Sequence, residues 1–182
     1  MRKINWGQIE EAKEFERLSS GGYVCKIVKI IDNPAKEYLQ VFMDVAEGEY
    51  KDYGKEAEKR NNNDWSYIRM YRSYKDTAQG MFKGFLSALE KSNPGFKAND
   101  FDGDENKLVG MFIGIVLGFE EYEKNDGTLN IRTYVKTVTT VEKIHNKDFK
   151  VPDLKRLAVK TTQQQQPTSA PASVPEDDEC PF

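Results

Sequence analysis

Trp65, Tyr67, Arg69 and Tyr71 stand two residues apart, so in an extended chain they share one face, with Ile68 and Met70 on the other. Flat rings accept unpaired nucleobases face to face, and a guanidinium meets phosphate oxygens. Each stacked base contributes roughly 1–3 kcal/mol. Arg72 and Lys75 follow and add positive charge. The pairing of rings with cations returns in Arg132, Tyr134 and Lys136, and again where Tyr50 and Tyr53 stand beside Lys51 and Lys55. Taken alone, the 65–71 strand is explained equally well by a second core beneath an N-terminal helix. Three recurrences favour a nucleic-acid surface. There is neither zinc-finger spacing nor a helix-turn-helix signature, so the expected ligand is single-stranded DNA bound with little sequence choice.

A second chemistry sits at the other end of the chain. Glu176, Asp177, Asp178 and Glu179 directly precede Cys180-Pro181-Phe182. Four carboxylates suit a basic rim on a partner, while the Phe182 ring and a terminal carboxylate suit one pocket beside an Arg or Lys. Glu176, Asp177, Asp178, Glu179, Pro181 and Phe182 are therefore the expected partner-binding residues.

Signals for catalysis fail. The chain has no phosphate-binding GxxxxGK[ST], no HExxH and no nucleophile elbow, so no catalytic residue, cofactor or metal is expected. The run Asp100-Phe101-Asp102-Gly103-Asp104-Glu105-Asn106 imitates a calcium loop, but its glycine is misplaced and no Glu closes it, which predicts a solvated acidic loop. Cys25 and Cys180 form no metal or disulfide spacing, and His145, the single histidine, reads as a solvated loop residue.

These side chains need elements to hold them. Residues 5–17 predict a short amphipathic helix ended by Ser19-Ser20-Gly21-Gly22. Strands are predicted over 23–31 and 38–46, the second with Leu39, Val41, Met43 and Val45 on one face. Residues 47–64 read as a long mobile connection, and a third strand covers 65–71. Over 73–92 the stripe Ala78, Met81, Phe82, Phe85, Leu86 and Leu89 has helical spacing, with Ser73 and Asp76 as a capping pair and Asn93-Pro94-Gly95 as the stop. Strands over 108–122 and 129–141 flank a hairpin turn at Asn125-Asp126-Gly127, the second with Ile131, Thr133 and Val135 opposite Arg132, Tyr134 and Lys136. Gly110, Gly114 and Gly118 read as places of strand bending or close packing. The order β-β-β-α-β-β predicts a mainly β, OB-like five-stranded barrel.

Domain boundaries follow from composition. An N-terminal helix or turn over 1–20 packs on a binding domain over 21–157. A Gln-, Pro- and Ser-rich stretch over 158–175 has too little apolar surface to fold, and the acidic tip occupies 176–182. The chain of 182 residues has net charge −3, but residues 161–182 hold four acids and no base; the remainder carries 27 basic and 26 acidic side chains, a net of +1. Gripping duplex DNA by charge alone would ask for more, so stacking must share the work. No apolar run approaches the ~20 residues of a spanning helix, and the start of the chain lacks the apolar region of a signal peptide, which predicts a cytoplasmic protein.

The tip resembles that of bacterial single-stranded DNA-binding proteins, whose acidic tails end in Pro-Phe and dock replication and repair partners. It departs from them in Cys180, where an aliphatic residue is usual. The segments Gly21-Gly22-Tyr23-Val24, Glu47-Gly48-Glu49-Tyr50, Arg72-Ser73-Tyr74-Lys75 and Asp148-Phe149-Lys150-Val151-Pro152-Asp153-Leu154 resemble replication-cluster proteins of phages and prophages of Gram-positive bacteria, in general pattern, over about residues 4–157. The resemblance implies a phage-type single-stranded DNA-binding protein in the host cytoplasm, acting in replication and recombination beside a helicase, primase or recombinase. A recombination mediator or annealing protein, and an adaptor with no nucleic-acid role, are the alternatives. Self-association is left open.

Overall fold

The computed structural model describes residues 16–61 and 67–157. The expected helix over 5–17 (all but its last two residues), Trp65, the linker and the acidic tip lie outside the described residues. Five antiparallel strands form one sheet in the order β3-β2-β1-β4-β5: β1 Gly21–Asn33, β2 Tyr38–Val45, β3 Ile68–Ser73, β4 Phe112–Glu123 and β5 Leu129–Thr139. Strand β1 is shared. Its first half pairs with β4, from Gly21 opposite Leu117 to Lys26 opposite Phe112, and its second half pairs with β2. A bulge between Ile27 and Lys29 bends it between the two roles. Among the described residues no ladder joins β3 to β5, although the two strands approach each other, so the sheet is curved but open.

Alternation sends one set of side chains inward. Cys25 and Ile27 of β1, Val41 and Met43 of β2, Met70 of β3 and Ile113, Ile115 and Leu117 of β4 are buried there. The expected inner face of β2 is borne out in full. Helix α2, Gln79–Ser92, packs Phe85, Leu86 and Leu89 into this core. Met81 was expected in its apolar stripe, but it is 71% exposed. Ser73 and Asp76 do not cap the helix: Ser73 ends β3, and Asp76 opens a 3-10 turn, Asp76–Ala78, that leads into α2. The stop at Asn93 holds, and its amide ties the helix end to β4: Nδ2 donates to Leu89 O and Phe112 O, and Oδ1 accepts from Phe112 N. The hairpin turn also holds, with Gly127 at φ +80° and Glu123 opposite Leu129.

Two elements depart from expectation. The connection over 47–64 contains helix α1, Tyr53–Asn61. Its cap is not local: the buried Asp44 of β2 accepts from Gly54 N at 2.6 Å and Lys55 N at 3.0 Å. The fifth strand ends at Thr139, because Thr140 caps a short helix α3, Val141–His145, with Oγ1 accepting from Lys143 N. His145 is thus helical, and its Nε2 lies 2.7 Å from Glu47 Oε2.

Beyond α3 the chain lies as a strap over the outer face of β1 and β4. Phe149 packs with Val24, Val116 and Ile144. Glycines make room for it: a Cβ on Gly22 would stand 2.4 Å from the Phe149 ring, and one on Gly118 would stand 2.7 Å from Pro152 Cγ. Close packing is therefore the role of Gly118, and of Gly114, where a Cβ would meet Thr140 O at 2.5 Å. The strap then joins β4 where β1 has ended, with Lys155 N donating to Phe119 O and Glu121 N donating to Lys155 O. Among the described residues no helix is long and apolar enough to cross a membrane.

Candidate nucleic-acid interface

The gap between β3 and β5 is a cleft of about 670 Å³, and it gathers residues from distant parts of the sequence. Tyr53, Tyr67, Tyr71 and Tyr134 line it together with Arg17, Arg69, Arg72 and Arg132, against one carboxylate among the described residues, Glu120. Seven of the expected DNA-binding residues meet here: Tyr53, Tyr67, Arg69, Tyr71, Arg72, Arg132 and Tyr134. Lys75, Lys136 and Tyr50 do not line it.

The rings are held differently. Tyr71 is 56% exposed on the outer face of β3, where it meets Tyr38 edge-on at 5.3 Å and accepts a hydrogen bond from Gln40 Nε2 at 3.3 Å. It presents a ring to solvent on a rigid strand. Tyr67 precedes β3 and lies across α1: its hydroxyl donates to Glu58 Oε2 at 2.5 Å, and a Cβ on Gly54 would stand 2.4 Å from its ring. Tyr50 and Tyr53 form an edge-on cluster with Tyr23 beside the main core, with centroids 6.2 and 6.4 Å apart along the series. Burial, aided by the carboxylates of Glu16 and Glu49 and by the Tyr23 phenol, raises the Tyr50 phenol above its ordinary value. Burial likewise outweighs the hydrogen bond to Leu18 and raises Tyr53. These two rings are mainly packing groups whose edges reach the surface.

The cations also divide. Arg69 is half-buried on the outer face. Arg72, by alternation, turns inward: its guanidinium lies 5.9 Å from the Phe85 ring centroid, and its buried Nε has no hydrogen-bond partner. Burial lowers its pKa. A guanidinium on the core face costs stability unless something meets its charge, and the cleft leaves it within reach of an anion. Arg132 donates from Nε to Glu120 at 2.7 Å and stacks on Tyr122, while Lys155 reaches Glu120 at 3.1 Å and lies over the Tyr134 ring at 5.8 Å. Burial alone would raise the Glu120 carboxyl, but hydrogen bonds from Lys155 and Arg132 hold it below its ordinary value.

Three contributors were missed in the sequence. Arg17 crosses the gap and donates to Ile131 O at 3.1 Å, next to the buried Leu18. Nothing local marked it. Tyr38 and Gln40 flank Tyr71, and here a signal existed: the alternation that turns Leu39 and Val41 inward turns these two outward. Lys107 pairs with Asp102 at 2.5 Å and Asp104 accepts from Asn106 N, so two acids of the run have local partners. Cys25 is buried, which, with the charge of Asp44, pushes its thiol upward and away from reactivity. Neither a scan against protein-family models nor a search of curated proteins finds a match for this chain.

Proposed function

We propose that the protein is a non-enzymatic single-stranded DNA-binding protein on an OB-like, partly open barrel. It protects DNA during phage-type replication and recombination in the bacterial cytoplasm, and recruits a helicase, primase or recombinase through residues 176–182. The observation that carries this reading is the convergence of four arginines and four tyrosines on one cleft. Phosphates suit the guanidiniums. Rings such as Tyr71 suit bases that are already unstacked, which a duplex does not offer. The strand order, with the opening between β3 and β5, is compatible with a five-stranded barrel that binds oligonucleotides beside strands two and three. The packing of Tyr50 and Tyr53 supports a core role for those two rings, and leaves Tyr71, Arg69 and Arg72 as the groups that the DNA reading needs.

A fluorescence anisotropy titration against single- and double-stranded oligonucleotides tests it. Preference for the single strand, weakening with salt as counterions are released, is expected. Equal affinity for both forms, or for neither, removes the proposal.

A further inference from the structure

A second groove, about 540 Å³, runs between β5 and the strap, and Tyr134 lines both it and the cleft. Four lysines face this groove, Lys136, Lys143, Lys150 and Lys155, against Asp148 and Asp153. Two are already engaged, Lys143 with Asp148 at 3.8 Å and Lys155 with Glu120. Lys136 and Lys150 are exposed and form no ion pair among the described residues. The position of Lys136 is built by the sheet. Val116 pairs with Thr137 and Leu117 with Val135, so Lys136 is the extra residue of a bulge that aims its side chain out of the ladder. Lys150 is set from the other side by its neighbour Phe149, seated over Gly22.

We infer that this groove is a second phosphate-binding station, where Lys136 and Lys150 hold the backbone of a DNA strand that has left the cleft past Tyr134. The inference rests on the proposed single-strand reading and extends its footprint. Tyr134 lines both cavities, so a strand leaving the cleft past it enters a groove that offers two lysines without an ion pair among the described residues. Its apolar walls, Val116, Phe149 and Pro152, lower the local dielectric without offering an open ring for stacking. Lys136 on β5 and Lys150 on the strap therefore act on the phosphodiester backbone and read no base.

The test uses the full chain and a length series of oligothymidylates, from about four nucleotides to beyond the roughly 16 that one such domain covers. The double variant Lys136→Ala/Lys150→Ala changes two exposed residues, and thermal melts check its fold. On long oligonucleotides the slope of log affinity against log salt falls by about 1.4, the value for two phosphate contacts on a single strand. On the shortest ones the slope is unchanged, because they fill only the cleft. Tyr71→Ala, titrated in parallel, reports on the cleft itself. An unchanged slope at every length, or the same fall at every length, overturns the second station. A Tyr71→Ala loss at all lengths then leaves the cleft reading standing. A wild-type protein that binds at no length overturns both.

Discussion

Tyr71 and Tyr67 fall on one line of alternation, but the structure gives them separate jobs. Tyr71 has a solvent-facing ring and one weak hydrogen bond from Gln40. Tyr67 anchors α1 through Glu58 and the bare face of Gly54. Tyr71→Ala should therefore weaken single-strand binding by roughly 1–3 kcal/mol while the melting temperature stays put. Tyr67→Ala should lower the melting temperature as well, because truncating a packed aromatic costs up to about 3–5 kcal/mol. Anisotropy titrations and thermal melts on both variants check this. A Tyr71→Ala protein that melts early but binds normally would make this ring a structural one.

At the scale of elements, α1 depends on a carboxylate that comes from another strand. Asp44 accepts hydrogen bonds from Gly54 N and Lys55 N of α1, and from Val45 N, in a buried setting, so Asp44→Ala removes the acceptor of three backbone donors, two of them in α1. The cost should be about 2 kcal/mol, seen in thermal melts, with faster hydrogen exchange confined to α1. Asp44→Asn should recover part of it. Besides its backbone bonds to β4, the strap is held by two side-chain means of unequal weight. Phe149 is partly buried against the second cluster, so its packing contributes up to about 1.5–3 kcal/mol. The cations on Glu120 are 61% and 66% exposed, and such pairs contribute at most about 1 kcal/mol. The Glu120 carboxyl is held below its ordinary value, so its contribution is complete above the unfolded glutamate pKa. It is lost as pH falls through the lowered folded value. The difference in melting temperature between wild type and Glu120→Gln should accordingly be small at neutral pH and vanish in acid. A difference that persists in acid would point to packing and not charge.

For the whole molecule, the separation of charge along the chain sets the behaviour. Four acids beyond residue 160 are tethered to a body of net +1 whose cleft carries four arginines. If residues 176–182 compete with phosphates, deleting them should strengthen single-strand binding modestly, most at low salt where screening is weak. The same deletion should abolish capture of a replication partner. Removing Phe182 alone should abolish capture and leave DNA affinity unchanged, since no carboxylate side chain is lost. Equal recovery of partners by wild-type and Phe182-deleted protein in pull-downs would reduce the segment to a solubilising tail.

Several features were legible from local pattern. Alternation placed Leu39, Val41, Met43 and Val45 inside, because side-chain direction in a strand follows from its own backbone. Asp126-Gly127 marked the hairpin, and Asn93 the end of α2, for similarly local reasons. It also placed Tyr71 and Arg69 on an outer face. Local pattern did not reach α1, whose polar sequence buries only Ala57 among its apolar residues and whose cap comes from Asp44. Nor did it reach α3 or the strap, whose seat is made of absent side chains at Gly22, Gly114 and Gly118. The cleft itself belongs to this second kind. Arg17, Tyr53, Tyr71 and Arg132 share it because β3 and β5, sixty residues apart in order of magnitude, end up flanking the same opening. The types and spacing of the residues set which chemistry was possible, since rings and guanidiniums carry it wherever they stand. Only the tertiary structure decided which of them meet, because a long-range neighbour is chosen by how the whole sheet curves and where it stays open.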